Sequence, residues 1–268
     1  MKKLDGKVAI VTGGAGGMGR AYAHRLAELG ASVAIFDIDL QVSSKHGEVL
    51  TAASVVAELE AMGVAAMGVE LDLSIRESVD LAVEQVVERF GRIDIVVNNA
   101  GGAVTPMDKS TASISPQEDT DRLFAVNFKT TVNVCQAVVP HLKKNGGAIV
   151  NVGTIGVEID DIAGRIAMYD AAKAATMRYS RSLAVELGPY GIRVNCILPG
   201  IIETARIKAQ ATKRNIGTQD QSAKIPLRRL GQAEDVLGAM EYFVTDMSAY
   251  VTGEAIRVAG GMTLVAAV

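Results

Sequence analysis

The amino-acid sequence predicts an α/β fold: a single domain built on a doubly wound parallel sheet of about seven strands, flanked by helices on both faces. Short apolar, β-branched runs recur along the chain, and helix-length segments separate most of them. Near-continuous apolar strands fit a sheet buried on both faces, and their alternation with helices fits βαβ units with right-handed crossovers. The glycine-rich stretch Thr12 to Gly19 adds a tight turn between the first run and the first helix.

The runs are Val8 to Val11, Val33 to Phe36, Val64 to Val69, Ile93 to Val97, Ala148 to Val150, Ile192 to Val194 and Ala255 to Val258. Gly30 follows the first helix, Gly63 follows Ala52 to Met62, and Gly91 follows Ser74 to Phe90, each where a helix ends on a left-handed residue. The longest helices are expected over about Glu118 to Lys144 and Ala167 to Gly188. Two segments break the rhythm. Asp39 to Leu50 is longer than a usual βα connection, and Glu203 to Arg229 has no strand pattern. Long loops at the carboxyl ends of strands build substrate sites in such folds, so residues 203–229 form a candidate lid.

With 268 residues the chain has the length of one α/β domain or two small ones, and no composition shift marks a linker, so residues 1–268 are read as one domain. Apolar residues make up 49% and charged residues 21%, as in a packed enzyme. A net charge of −3 without runs of like charge argues against nucleic acid or an anionic membrane as partner and leaves a small molecule. Asp5 and Gly6 interrupt the basic start, so no signal-peptide core forms, no stretch approaches a membrane span, and the cytoplasm is the expected location. Cys135 and Cys196 sit among apolar neighbours and read as buried small hydrophobes. His24, His46 and His141 lack metal-ligand spacing, and no metal is assigned.

The glycine stretch parses as GxGxxG through Gly14, Gly16 and Gly19, or as TGxxxGxG through Thr12, Gly13, Gly17 and Gly19, with Met18 between the last two. In either reading, missing side chains let backbone amides approach a pyrophosphate at a helix N-terminus. A phosphate-hydrolysing loop is disfavoured, because Arg20-Ala21 follow Gly19. Asp37 ends the second strand eighteen residues after Gly19. A carboxylate there accepts hydrogen bonds from adenosine ribose hydroxyls and repels a 2′-phosphate, which favours NAD over NADP. Farther along, Tyr169 and Lys173 are four residues apart. On a helix they share a face, and a nearby cation favours the phenolate, drawing the tyrosine toward the working range of an acid/base catalyst.

Together these residues resemble the short-chain dehydrogenase/reductases of the one-domain type, a Rossmann-fold family, over nearly the whole chain. The resemblance rests on Thr12 to Gly19, Asp72-Leu73, Asn98-Asn99-Ala100-Gly101, Asn127, Tyr169 with Lys173, and Pro199-Gly200-Ile201-Ile202-Glu203-Thr204. It implies that Tyr169 exchanges the proton of an alcohol or carbonyl, that Lys173 binds nicotinamide ribose hydroxyls and lowers the tyrosine pKa, and that Asn127 holds a water in a proton relay. Asp72 and Leu73 would contact adenine, and Thr204 with the backbone near Ile202 would hold the carboxamide. Asn99, Ala100, Gly101, Pro199 and Gly200 complete the implied cofactor site. Two departures stand out. Thr154, in Asn151-Val152-Gly153-Thr154, takes the place of the family's catalytic serine, and the interval from Thr154 to Tyr169 is two residues longer than the family's usual spacing. Residues 157–167 are therefore expected to bulge at the substrate site. The aspartate often found before the paired glycines near the C-terminus is absent from Val258-Ala259-Gly260-Gly261.

The implied activity is NAD-dependent interconversion of a secondary alcohol and a ketone. The alternatives are a cofactor-binding regulatory member or a 3-oxoacyl thioester reductase. An enoyl reductase is disfavoured, since that branch places a longer interval between its tyrosine and lysine. From Arg206 to Arg229 the basic residues are Arg206, Lys208, Lys213, Arg214, Lys224, Arg228 and Arg229, against Asp220 alone, which suggests an anionic substrate. The resemblance also implies a homotetramer, assembled through the long apolar-faced helices that family members use for this.

Overall fold

The computed structural model describes residues 2–161, 163–214 and 219–264. Seven strands, β1 (Val8–Thr12), β2 (Ser32–Asp37), β3 (Ala66–Glu70), β4 (Ile95–Asn98), β5 (Gly147–Val152), β6 (Ile192–Pro199) and β7 (Ala255–Val258), form one sheet. Their order is β3-β2-β1-β4-β5-β6-β7, and every pairing is parallel. The helices are α1 (Gly17–Glu28), α2 (Val42–Lys45), α3 (Val55–Ala61), α4 (Arg76–Phe90), α5 (Gln117–Phe124), α6 (Thr130–Asn145), α7 (Ala167–Leu187), α8 (Ala205–Arg214), α9 (Gln219–Lys224) and α10 (Leu237–Val244). This is the doubly wound Rossmann architecture.

Alternate residues of each strand point to opposite faces, so each strand feeds two cores. Ala9, Val11, Val33 and Ile35 pack with residues of α1, α3 and α10, whereas Val8, Ile10, Ala34 and Phe36 pack with α4, α6 and α7. Both faces being dry explains why these strands read as unbroken apolar runs. Cys135 and Cys196 are buried in the packing, as their neighbours suggested. Gly30, Gly63 and Gly91 all take positive φ (100°, 85° and 78°), the conformation that closes a helix at little cost only for glycine.

The helix expected over Glu118 to Lys144 runs without a break from Gln117 to Asn145, as α5 and α6 continuous through a π-turn over Ala125–Lys129. Asn127 lies in that turn and is fully buried. Its side chain donates to Leu123 O (2.9 Å) and Gly102 O (3.1 Å) and accepts from Gly102 N–H (2.8 Å). These bonds tie the loop after β4 to the helix layer and offset the looser backbone of a π-turn, a form that concentrates at functional positions. The last strand keeps its predicted bounds, Ala255–Val258, and most other predicted elements shift at their ends by one to several residues. The candidate lid holds α8 and α9, and its residues 215–218 lie outside the described residues, as does Ile162 of the expected bulge. No described helix is long and apolar enough to cross a membrane.

Candidate functional site

Strand order reverses between β1 and β4, and the carboxyl ends of parallel strands diverge there to leave a crevice. A cleft of about 570 Å3 opens at that point, within the range of small-molecule sites. Of the residues predicted for the site, Gly13, Gly16, Gly17, Met18, Asp37, Asp72, Leu73, Asn99, Ala100, Gly101, Thr154, Tyr169, Pro199, Gly200, Ile202 and Thr204 line it. Gly19, Asn127 and Lys173 stand behind the lining.

The glycine turn is held from several sides. Thr12 Oγ1 accepts the amides of Asn99 and Ala100 (both 3.0 Å), and Asn99 Nδ2 donates to Thr12 O and Gly13 O. At Gly19 a Cβ would lie 1.8 Å from Gly13 O, so no other residue fits without moving the backbone. Gly19 therefore closes the turn. At Gly16, which lines the cleft, a Cβ would meet Val42 Cγ1 at 3.0 Å and Glu48 Oε1 at 3.3 Å, because residues 42–48 lie against the turn. Gly17, with φ of 55°, opens α1, and Thr204 faces it across the cleft. Asp37 Oδ2 accepts Ala15 N–H (3.0 Å). Burial pushes its carboxyl above the ordinary range, while the amides of Ala15, Asp39 and Ile38 pull it back.

At the other end of the cleft, Tyr169 and Lys173 are one turn apart on α7, as their spacing predicted. Lys173 is buried, and Nζ donates to Val152 O at 2.8 Å. Burial lowers its pKa to about 8, with the charge of Arg206 acting in the same sense, so the ammonium predominates at neutral pH. Thr154 precedes a short 3₁₀ turn, Ile155–Val157, and its Oγ1 accepts Gly156 N–H at 3.2 Å. That acceptance leaves the hydroxyl hydrogen available to a second acceptor in the cleft.

Described residues of the longer interval between Thr154 and Tyr169 are tied to one another and to the loop around Ser110. Arg165 and Asp161 pair through two contacts (2.8 and 2.7 Å), and Ala112 N–H and Ala167 N–H bond across to Gly164 O and Ser110 O. Ile166 takes φ of 57°, an uncommon conformation for a β-branched residue, three positions before Tyr169. Sequence pattern gave no sign of this strain, since nothing local favours it.

Asp170, between the two predicted catalytic residues, has a buried Oδ1 without a hydrogen-bond partner. Burial, aided by the charge of Asp160, raises its pKa to about 7. A carboxyl raised in this way contributes stability below its unfolded value and loses it as pH climbs through the folded one. Asp170→Asn is therefore expected to gain on the wild type between about pH 4 and pH 7 and to hold a constant advantage above, on the order of 1 kcal/mol after solvent screening. Melting temperature against pH for the two proteins checks this; a pH-independent difference would reject it.

Among the described residues no group of three or more His, Cys, Asp or Glu is placed to hold a metal ion. A glycine turn opening a helix at the switch point, with a carboxylate ending β2, fits a dinucleotide. With a tyrosine and lysine one turn apart beside it, the fold and site define a Rossmann-type oxidoreductase. The chain belongs to the short-chain dehydrogenase/reductase family: residues 13–263 match the family model described as Enoyl-(Acyl carrier protein) reductase. It is 43% identical to a cyclohexanol dehydrogenase of Rhodococcus sp. (strain TK6), over 97% of each chain. It is also 37% identical to a 7alpha-hydroxysteroid dehydrogenase of Clostridium sardiniense, over 98% of this chain and 96% of that one. The crystal structure of an NAD+-bound xylitol dehydrogenase superposes with a TM-score of 0.85 at 29% identity, covering 97% of this chain and 100% of the other.

Proposed function

We propose that the protein is an NAD-dependent dehydrogenase that interconverts a secondary alcohol and its ketone, with Tyr169 as proton donor and acceptor. The observation that carries this reading is that one cleft is bordered at one end by Asp37 and the glycine turn and at the other by Thr154 and Tyr169, with buried Lys173 one turn beyond the tyrosine. The α1 N-terminal amides after Gly17, whose own N–H Glu48 accepts, would hold the pyrophosphate, Asp37 the adenosine ribose, and Thr204 and the Ile202 backbone the carboxamide. When bound, the nicotinamide accepts or supplies hydride. Thr154 donates its hydroxyl hydrogen to the reacting oxygen and fixes its position against Tyr169. The phenol oxygen then takes or returns the alcohol proton. Lys173, charged and dry, favours the phenolate and reaches the nicotinamide ribose. Asn127 holds the loop carrying Gly101 and Gly102 against the helix layer, and its backbone carbonyl accepts from Thr176 Oγ1 at 3.1 Å.

Formation of reduced cofactor from NAD+ and a panel of cyclic and acyclic secondary alcohols tests the assignment. Turnover with at least one alcohol is expected, and cofactor binding without turnover across the panel would favour the regulatory alternative. The cyclohexanol and hydroxysteroid dehydrogenases among the relatives support starting the panel with cyclic alcohols.

The anionic-substrate idea narrows to one lid residue. Of the basic residues between 203 and 229, Arg206 lines the cleft, its guanidinium lying against Gly102. Lys208 pairs with Glu203, and Arg229 pairs with Asp235. The side chains of Lys213, Arg214 and Asp220 lie outside the described residues. Among the described residues Arg206 has no ion-pair partner, so it can meet a carboxylate on the substrate. Arg206→Ala is expected to lower kcat/KM about tenfold for a carboxylate-bearing alcohol and little for its neutral amide, the scale of one charge-assisted hydrogen bond. An equal effect on both would remove Arg206 from substrate recognition.

A further inference from the structure

The long connection after β2 turns back onto the glycine turn. Glu48 Oε1 accepts Gly17 N–H at 2.8 Å, the first amide of α1. Its other oxygen lies 3.3 Å from Ser43 Oγ and 3.3 Å from Arg20 Nη1, and Ser43 Oγ donates to Ala15 O. From the opposite side, Asp37 accepts Ala15 N–H. Residues 15–17 are thus held between two carboxylates, and both carboxylates line the same cleft.

We propose that Glu48 is a second charge-selective residue of the cofactor pocket, acting with Asp37 to admit a dinucleotide with a free adenosine ribose and to reject one carrying a 2′-phosphate. This rests on the NAD reading above and extends it to a residue that the glycine motif does not contain. A 2′-phosphate accommodated at Asp37 brings a dianion up to the turn that Glu48 already occupies, in a partly desolvated cleft where like charges repel strongly.

The neighbouring cations are engaged. Arg20 spends its fork on Glu58 (Nε 2.9 Å, Nη2 2.7 Å) as well as on Glu48. Glu58 also meets His24 at 3.1 Å. Although burial opposes it, the bonds from Arg20 and Thr51 hold the Glu58 carboxyl down at about 2, so Arg20 keeps a charged partner. Lys45 pairs with Asp39, and His46 also lines the cleft. Removing the Glu48 charge therefore lifts a repulsion and frees one arm of Arg20, and both changes favour a phosphate. A carboxylate at a helix N-terminus also stabilises the helix. That capping role shifts melting temperature but leaves the choice between the two cofactors unchanged.

The test is calorimetric Kd for NAD+ and NADP+, with melting temperatures, for the wild type, Asp37→Ala, Glu48→Gln, Glu48→Asp and the double variant Asp37→Ala/Glu48→Gln. Glutamine keeps an acceptor for Gly17 N–H, and aspartate keeps the charge. The expected result is that Glu48→Gln shifts the affinity ratio toward NADP+ about tenfold. Glu48→Asp should stay near wild type, and the double variant should exceed either single change. If Asp37→Ala relaxes the preference while Glu48→Gln leaves the ratio within about twofold of wild type, Glu48 is a cap alone and the inference falls, with the NAD reading intact. If neither change moves the ratio, the NAD reading fails and the inference with it.

Discussion

Replacing Tyr169 by phenylalanine is expected to lower kcat by about 10³- to 10⁴-fold while leaving the Kd for NAD+ within about twofold of wild type. The substitution deletes one oxygen and keeps the ring that lines the cleft, so packing changes little. Hydride transfer leaves a proton that some group must take. The Lys173 ammonium is buried and donates to Val152 O, and the Thr154 hydroxyl is too weak an acid to replace a phenol. Without the phenol oxygen, chemistry stalls after binding. Steady-state rates beside calorimetric NAD+ binding check the split between chemistry and binding; near wild-type turnover would overturn the catalytic assignment.

Thr154→Ala is expected to cost about 10²- to 10³-fold in kcat, the usual loss when one donor to a reacting oxygen disappears. The same residue accepts Gly156 N–H and so also shapes the turn at the head of the loop over 155–166. Thr154→Ser separates the two roles from the methyl group, because it restores the hydroxyl without the extra carbon. Activity within about tenfold of wild type is expected for the serine variant, with a wider range of accepted alcohols. Equal activity in the alanine variant and the wild type would make Thr154 structural only.

The sheet was legible because a strand buried on both faces needs apolar residues at every position, and Val8 to Val11 and Val33 to Phe36 supply them. Helix ends were legible where glycine alone suits the backbone, as at Gly30, Gly63 and Gly91. The cleft residues that sequence brought together were those tied to a motif of fixed spacing. What escaped was set by contacts distant in the chain. The π-turn at Ala125–Lys129 has no residue pattern, and it exists because Asn127 bonds to Gly102, twenty-five positions away. The left-handed Ile166 likewise follows from a loop fixed by Ser110, Ala112 and the Asp161–Arg165 pair. For Glu48 the single hint was the excess length of the connection after β2, and it took the fold to show that the excess returns to Gly17.

Direct hydride transfer from substrate carbon to cofactor is the centre of the account, and isotope transfer tests it most directly. A secondary alcohol deuterated at the carbinol carbon, incubated with the protein and NAD+, should place deuterium in the reduced nicotinamide, read by mass spectrometry, and Tyr169→Phe should abolish the transfer. Cofactor that binds yet gains no deuterium from any alcohol of the panel would contradict the account.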